Sequence, residues 1–135
     1  MIIFISVMNR ELQNQLSKQI LDSCMAVHKE MGPGLLESVY QLCLVKELQS
    51  RGIQVEQEVP IPLFYKGEKL NKDFRIDILV EDEIILELKA IDDILPVHEA
   101  QIISYLKMTN KKLGFLINFN VPLMKEGFNR YVNNF

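Results

Sequence analysis

Phe74-Arg75-Ile76-Asp77-Ile78-Leu79-Val80 and Ile84-Ile85-Leu86-Glu87-Leu88-Lys89-Ala90 flank the acidic tip Glu81-Asp82-Glu83. Two β-prone runs around so short a polar tip read most simply as an antiparallel hairpin. Side chains alternate between faces along a strand, which sets Asp77 with Arg75 and Leu79, and Glu87 with Lys89. With Glu81 to Glu83 as an odd-numbered loop, Asp77 falls opposite Glu87. Carboxylates that close repel each other, which argues for a compensating cation. Oxygen ligands of this kind suit a hard divalent ion such as Mg²⁺, which needs only one or two carboxylates and keeps several waters. Such an ion polarises a phosphodiester and lowers the pKa of a bound water, and Lys89 would orient that water or stabilise charge on the phosphate. The alternative is a surface hairpin in which Asp77 pairs with Arg75 or Lys89 and Glu87 is solvated, since antiparallel sheets often have one wet face.

Upstream, Leu12, Leu16, Ile20, Cys24, Val27 and Met31 recur every three or four positions and predict a helix over Arg10 to Met31. Gly32-Pro33-Gly34 breaks it. Leu36, Val39, Tyr40, Cys43, Leu44 and Leu48 predict a second helix ending near Arg51-Gly52. Val55 to Tyr65 reads as extended, and Pro60 and Pro62 place it at a sheet edge because each removes a ladder donor. Lys66-Gly67-Glu68 is a turn. Downstream, Pro96 fits the first turn of a third helix running to about Met108. Leu113 to Phe119 is then a strand, and Lys125 to Val132 a short terminal helix. A strand that returns after a helical crossover lies parallel to a neighbour, so the sheet is expected to be mixed.

The chain has 135 residues, 48% hydrophobic and 24% charged, which suits one globular α/β domain. Met1 to Met8 is too short to span a bilayer and lacks the features of a secretory signal. Residues 1–9 read as an N-terminal extension, with Met8 an alternative start. Two cysteines, Cys24 and Cys43, form no framework, and a reducing cytoplasmic compartment is expected. A net charge of −3 gives nucleic-acid binding no support by itself. Local basic groups are Lys107 with Lys111 and Lys112, Lys66 with Lys69 and Lys72, and Lys125 with Arg130. No phosphate-binding Gly-rich loop, nucleophile elbow or Cys-His pair is present. His28 and His98 lack the spacing of a metal pair. Glu37, in the first turn of the second helix, complements the helix dipole. Gln101 and Tyr105, four apart, project from one face of the third helix.

Gly34-Leu35-Leu36-Glu37-Ser38-Val39-Tyr40 is similar to the G-x-x-E-x-x-Y signature of the GxxExxY proteins, a group assigned to the PD-(D/E)xK nuclease superfamily. The likeness runs from about Arg10 onward. It takes in Val27 to Gly34, the hairpin with Asp77 and Glu87-Leu88-Lys89-Ala90, and Leu116-Ile117-Asn118-Phe119. Gln101 and Tyr105 resemble the Q-x-x-x-Y element of the exonuclease-like branch. The resemblance implies a restriction-endonuclease-like αβββαβ core, a mixed four-stranded sheet flanked by helices, in agreement with the element order above. It implies Mg²⁺ or Mn²⁺ held by Asp77, Glu87 and the Leu88 carbonyl, with Glu37 reaching the metal through water. Lys89 would assist the attacking water, and Gln101 and Tyr105 would position the substrate or Lys89. Ile76 stands where the superfamily's name has proline. The implied activity is phosphodiester hydrolysis on DNA, in repair or in defence against foreign DNA, with RNA an open alternative because nothing here reads the 2′-hydroxyl. The rival expectation is a non-catalytic module that keeps the fold and binds nucleic acid, a protein partner or a second copy of itself.

Overall fold

Asn9 starts the first helix by accepting the Leu12 N–H on its Oδ1 at 2.8 Å, which satisfies an otherwise orphaned donor. In the computed structural model, which describes residues 9–133, helix α1 (Arg10–Met31) is followed by α2 (Glu37–Ser50). Strands β1 (Val55–Tyr65), β2 (Glu68–Val80) and β3 (Ile84–Lys89) come next. The chain ends with α3 (Pro96–Thr109), β4 (Leu113–Asn118), a 3-10 turn at Met124–Gly127 and β5 (Phe128–Val132). Apart from Asn9, the expected N-terminal extension lies outside the described residues. Among those residues no helix is long and apolar enough to cross a membrane.

The two N-terminal helices are joined by a rigid corner. Gly32 caps α1 at φ 71°, a conformation that favours glycine, and its N–H reaches the His28 carbonyl at 2.8 Å. The Tyr40 hydroxyl then donates to the Gly32 carbonyl and accepts the Leu35 N–H, so the corner is tied to the helix it introduces. The Tyr40 ring stacks on Phe119 with centroids 4.5 Å apart. This tyrosine therefore fixes where α2 begins, and with it the position of Glu37.

The five strands lie in the order β1-β2-β3-β4-β5, with β3 and β4 parallel and the other pairs antiparallel. One sheet face packs on α1 and α2 through residues such as Ile20, Cys24, Leu44 and Leu48 against Ile78, Leu86, Leu88 and Phe115. The other packs on α3, through Ile102, Tyr105 and Leu106 against Ile85, Leu79 and Leu116. Ile84, Ile85, Leu86 and Leu88 of β3 are wholly buried. Each such side chain contributes ~1.5–3 kcal/mol before the entropy of ordering is subtracted. β1 is an edge strand as expected, its outer side interrupted by Pro60 and Pro62.

The C-terminal segment corrects the sequence reading. Lys125 to Val132 is not a helix: after the 3-10 turn, Phe128–Val132 adds a fifth strand, pairing Leu113↔Val132 through Ile117↔Phe128. The physical reason is β4, which is buried at every position and would otherwise leave a bare edge. Phe128 stacks on Phe115 at 4.5 Å, and Tyr131 packs towards α3. Gly127 makes the approach: a Cβ there would collide with the Asn118 carbonyl oxygen. The four expected strands stand in a mixed sheet flanked by helices, and β5 extends it.

Candidate metal centre

The hairpin closes on a three-residue tip. Glu81 and Asp82 both have positive φ, 51° and 58°, and the Glu83 N–H meets the Val80 carbonyl at 3.0 Å. A left-handed glutamate is strained, and Gln54 offsets the strain. It accepts the Glu81 N–H at 2.9 Å and donates its own N–H to the Glu81 carboxylate at 2.7 Å. The tip sets the register Val80↔Ile84, Leu79↔Ile85 and Ile78↔Leu86, which carries Asp77 to the level of Glu87.

There the backbone pairing stops and the carboxylates take its place. The Asp77 N–H donates to Glu87 Oε2 at 2.9 Å, and the Leu88 N–H donates to Asp77 Oδ2 at 2.8 Å. Each side chain thus braces the opposite strand with one oxygen and leaves its second outside this pair of bonds. The Lys89 carbonyl accepts the Phe119 N–H at 2.9 Å, so it faces β4. Backbone groups alternate in direction along a strand, hence the Leu88 N–H and carbonyl face the Asp77 side.

The electrostatics follow from burial. Glu87 is only 4% exposed. Desolvation pushes its carboxyl up to about 9, and the nearby Asp77 adds to the rise, against the hydrogen bond from Asp77 N–H and the Lys89 charge. Asp77 is pushed up to about 6, first by burial and further by Glu37 and Glu58, while the Leu88 N–H and Lys89 pull it down. Burial and mutual repulsion therefore both oppose ionising the two acids together. Lys89 is half-buried at the end of β3. The ion pairs among the described residues are Lys18–Asp22, Arg51–Glu47 and Lys111–Asp82, so Lys89 is held by neither carboxylate.

Asp77 does not share a face with Leu79 and Arg75 as strict alternation predicts. Phe74 and Ile76 pack towards α3, which turns Arg75 the other way. Ile78 packs towards α1 and α2, and Leu79 towards α3. The alternation reverses at Asp77, and it reverses in β1 at the same level. Val55 packs on the α1–α2 side, whereas Val59 and Ile61 pack towards α3. The register Gln57↔Ile78 and Val59↔Ile76 brackets Glu58 and Asp77, and Glu58 has φ 50°. This local irregularity turns the Asp77 side chain into the plane of the sheet, towards β3.

A cleft of about 650 Å³ opens here, lined by Glu37, Gln41, Glu58 and Asp77 with the exposed Leu36 and Leu42. Glu37 is exposed at the first position of α2. Gln41, one turn later, donates from Nε2 to Glu58 Oε2 at 2.9 Å and to the Asp77 carbonyl at 3.3 Å. Across the sheet, Gln101 Nε2 donates to the Tyr105 hydroxyl at 3.1 Å, and the Tyr105 ring lies 5.4 Å from that of Phe74. The Tyr105 phenol is raised to about 12 by burial and then by the charges of Glu87 and Asp77. Glu37 and Asp77 thus share the cleft, Asp77 and Glu87 are locked together with Leu88 and followed by Lys89, and Gln101 and Tyr105 stand on the α3 face of the sheet.

Sequence reasoning missed Glu58, Gln41 and Asn118. Glu58 carries no signal of its own in the sequence, and its position opposite Asp77 is visible only once β1 and β2 are in register. Asn118, paired with Lys89 across β3–β4, is 3% exposed; it accepts the Ile91 N–H at 3.1 Å and donates to the Ile91 carbonyl at 2.9 Å. It staples the chain just after Lys89. The histidines lie elsewhere: His28 Nε2 bonds the Val121 carbonyl at 2.8 Å, and His98 Nδ1 accepts the Leu95 N–H at 2.9 Å at the start of α3. Burial raises the Cys24 thiol far above its ordinary range, which keeps it protonated and unreactive.

Among the described residues no group of three or more His, Cys, Asp or Glu side chains is placed to hold a metal ion. Two desolvated carboxylates with a spare oxygen each, beside a backbone carbonyl, nevertheless fit an ion such as Mg²⁺ that completes its shell with water.

A family model described as the PD-(D/E)XK nuclease superfamily matches residues 14–131 of this chain. No curated protein matches. Among solved structures, the crystal structure of SSO0001 is 22% identical with a TM-score of 0.49, over 72% of this chain and 48% of that one. The chain spans about half the length of that protein, and the likeness is too distant to bear on function.

Proposed function

The chain belongs to the PD-(D/E)XK nuclease superfamily, and on that premise we propose that it is a divalent-metal-dependent phosphodiesterase acting on DNA. The observation that carries the reading is the interlocked pair Asp77 and Glu87. Two strands of a well-packed sheet give up backbone pairing to set two carboxylates side by side, at a cost in desolvation. A solvated surface hairpin has no need of that arrangement.

In this reading Asp77, Glu87 and the Leu88 carbonyl hold Mg²⁺ or Mn²⁺, and Glu37 contributes through water from the rim of the cleft. The bound ion would supply Lewis-acid polarisation of the phosphate and a more acidic water. Lys89, unpaired with either carboxylate, sets its ammonium towards the attacking water and the phosphate oxygens. Tyr105, fixed by Gln101 and protonated throughout the ordinary pH range, donates a hydrogen bond beside Glu87 and positions Lys89 or the substrate strand. Gln41 and Glu58 hold the irregularity that turns Asp77 inward.

The test is cleavage of DNA, with RNA as a parallel substrate, by purified protein in Mn²⁺ or Mg²⁺. Glu87→Ala and Lys89→Ala are expected each to lower the rate by at least ~10²–10³-fold, as loss of one charge-stabilising group does. Equal rates for the variants and the unaltered chain would place the activity elsewhere, and no cleavage at all would favour a binding module that keeps the fold.

A further inference from the structure

β2 is longer than the sheet requires. Among the described residues it pairs with β3 only through Ile78, Leu79 and Val80, and from Glu68 to Ile76 its sole strand partner is β1. Glu68 to Asp73 are exposed at every position. Beyond Glu58 and Asp77 the two strands thus form a ribbon that leaves the sheet at the metal centre. Val59, Ile61, Phe74 and Ile76 pack the base of the ribbon on α3, and Pro60 to Phe64 lie beside Met108 and Thr109. Isolated two-stranded ribbons are marginally stable, so the outer part of this one adds little to the fold.

The composition of the ribbon departs from that of the chain. From Phe64 to Arg75 it carries Lys66, Lys69, Lys72 and Arg75 against Glu68 and Asp73, in a protein of net charge −3. At its tip Phe64 and Tyr65 are 62% and 64% exposed, and the Lys66 ammonium sits 5.5 Å from the centre of the Tyr65 ring. Two exposed aromatic rings followed by three lysines suit a nucleic-acid strand: such rings stack on unpaired bases and ammonium groups neutralise phosphates. A protein strand adding to this edge is disfavoured, because Pro60 and Pro62 remove donors from the outer side of β1.

We propose that the β1–β2 ribbon is a nucleic-acid-gripping arm, stacking unpaired bases on Phe64 and Tyr65 and holding phosphates with Lys66, Lys69 and Lys72. The inference rests on the nuclease reading for its choice of partner. Nine residues separate Asp77 from Glu68 at the tip. That is at most ~30 Å of strand. The arm would therefore hold the substrate well away from the scissile bond and set the direction in which it lies.

The test is binding of a fluorescent single-stranded DNA of about 20 nucleotides, followed by anisotropy in EDTA so that cleavage plays no part. Phe64→Ala with Tyr65→Ala is expected to weaken binding about tenfold or more. Changing Lys66, Lys69 and Lys72 to Gln is expected to reduce the slope of log K against log salt by about 2, at ~0.7 per phosphate contact on a single strand. Unchanged affinity and slope in both variants would overturn the proposal, as would failure of the unaltered chain to bind the oligonucleotide. So would an effect of the two variants on binding to anionic lipid vesicles with none on DNA. Cleavage is scored separately. Arm-dependent binding without cleavage keeps the arm and removes the nuclease reading, whereas cleavage that ignores both arm variants does the reverse.

Discussion

Near its tip, the β2–β3 hairpin is joined by backbone pairs between buried aliphatic residues, Ile78↔Leu86, Leu79↔Ile85 and Val80↔Ile84. One residue further on, the same two strands are joined by carboxylates that reach across to backbone N–H groups, Asp77 to Leu88 and Glu87 to Asp77. The first region gains from burying apolar surface and leaves no polar group stranded. The second carries two desolvated acids that resist ionising together. Neighbouring stretches of one hairpin thus pull in opposite directions: the apolar rows supply the rigidity that lets the acidic row keep an unfavourable geometry.

The contrast makes the two regions respond with opposite signs to mutation. Leu86→Ala, in the apolar part, is expected to destabilise by ~2–5 kcal/mol, the usual cost of emptying a wholly buried leucine site. Urea denaturation would measure it, and a loss below 1 kcal/mol would mean that the apolar rows are not what holds the hairpin. Glu87→Gln, one residue away, is expected to raise the stability of the metal-free chain at pH 8 by about 1–2 kcal/mol while abolishing cleavage, because a neutral amide escapes the cost of either ionising or protonating a buried carboxyl.

The sign of the pH dependence follows from the same groups. Both carboxyls are raised above their unfolded values, so the folded chain binds more protons than the unfolded one. Their penalty is absent below the unfolded carboxyl pKa of ~4 and grows as pH rises through the folded values. Metal-free melting temperature is therefore expected to fall between pH 5 and pH 9, with a shallower fall in Glu87→Gln. Identical profiles would show that Glu87 ionises without cost. The smallest effect is expected at Gln41→Ala, which removes the two bonds to Glu58 and to the Asp77 carbonyl. Stability should drop by about 0.5–1.5 kcal/mol, with a loss of cleavage larger than the stability change explains. Unchanged turnover would detach Gln41 from the site.

Much of the hairpin is legible in the sequence because its signals are local. The odd-numbered loop Glu81 to Glu83 fixes the register, and the register sets Asp77 beside Glu87. The bounds of α1 follow from its apolar period and the glycine after it, and the edge position of β1 from its prolines. What could not be read depends on contacts between distant segments. The face reversal at Asp77 accompanies a break in the ladder opposite Glu58, and strict alternation has no way to anticipate a positive φ at a glutamate. β5 differs from the expected helix although Phe128, Tyr131 and Val132 are β-prone; the run is short and broken by Asn129 and Arg130, and its pairing with the bare edge of β4 decides the outcome. Gln41 carries no signal of its own in the sequence; its role appears only once α2 lies against β1 and β2.

The centre itself is tested most directly by diffraction from a crystal soaked in Mn²⁺, recorded where manganese scatters anomalously. A peak is expected between the Asp77 and Glu87 carboxylates, within ligand distance of the Leu88 carbonyl, and absent from Asp77→Asn crystals treated alike. Well-ordered density in which both carboxylates keep only their cross-strand N–H bonds, with no anomalous peak between them, would contradict the assignment.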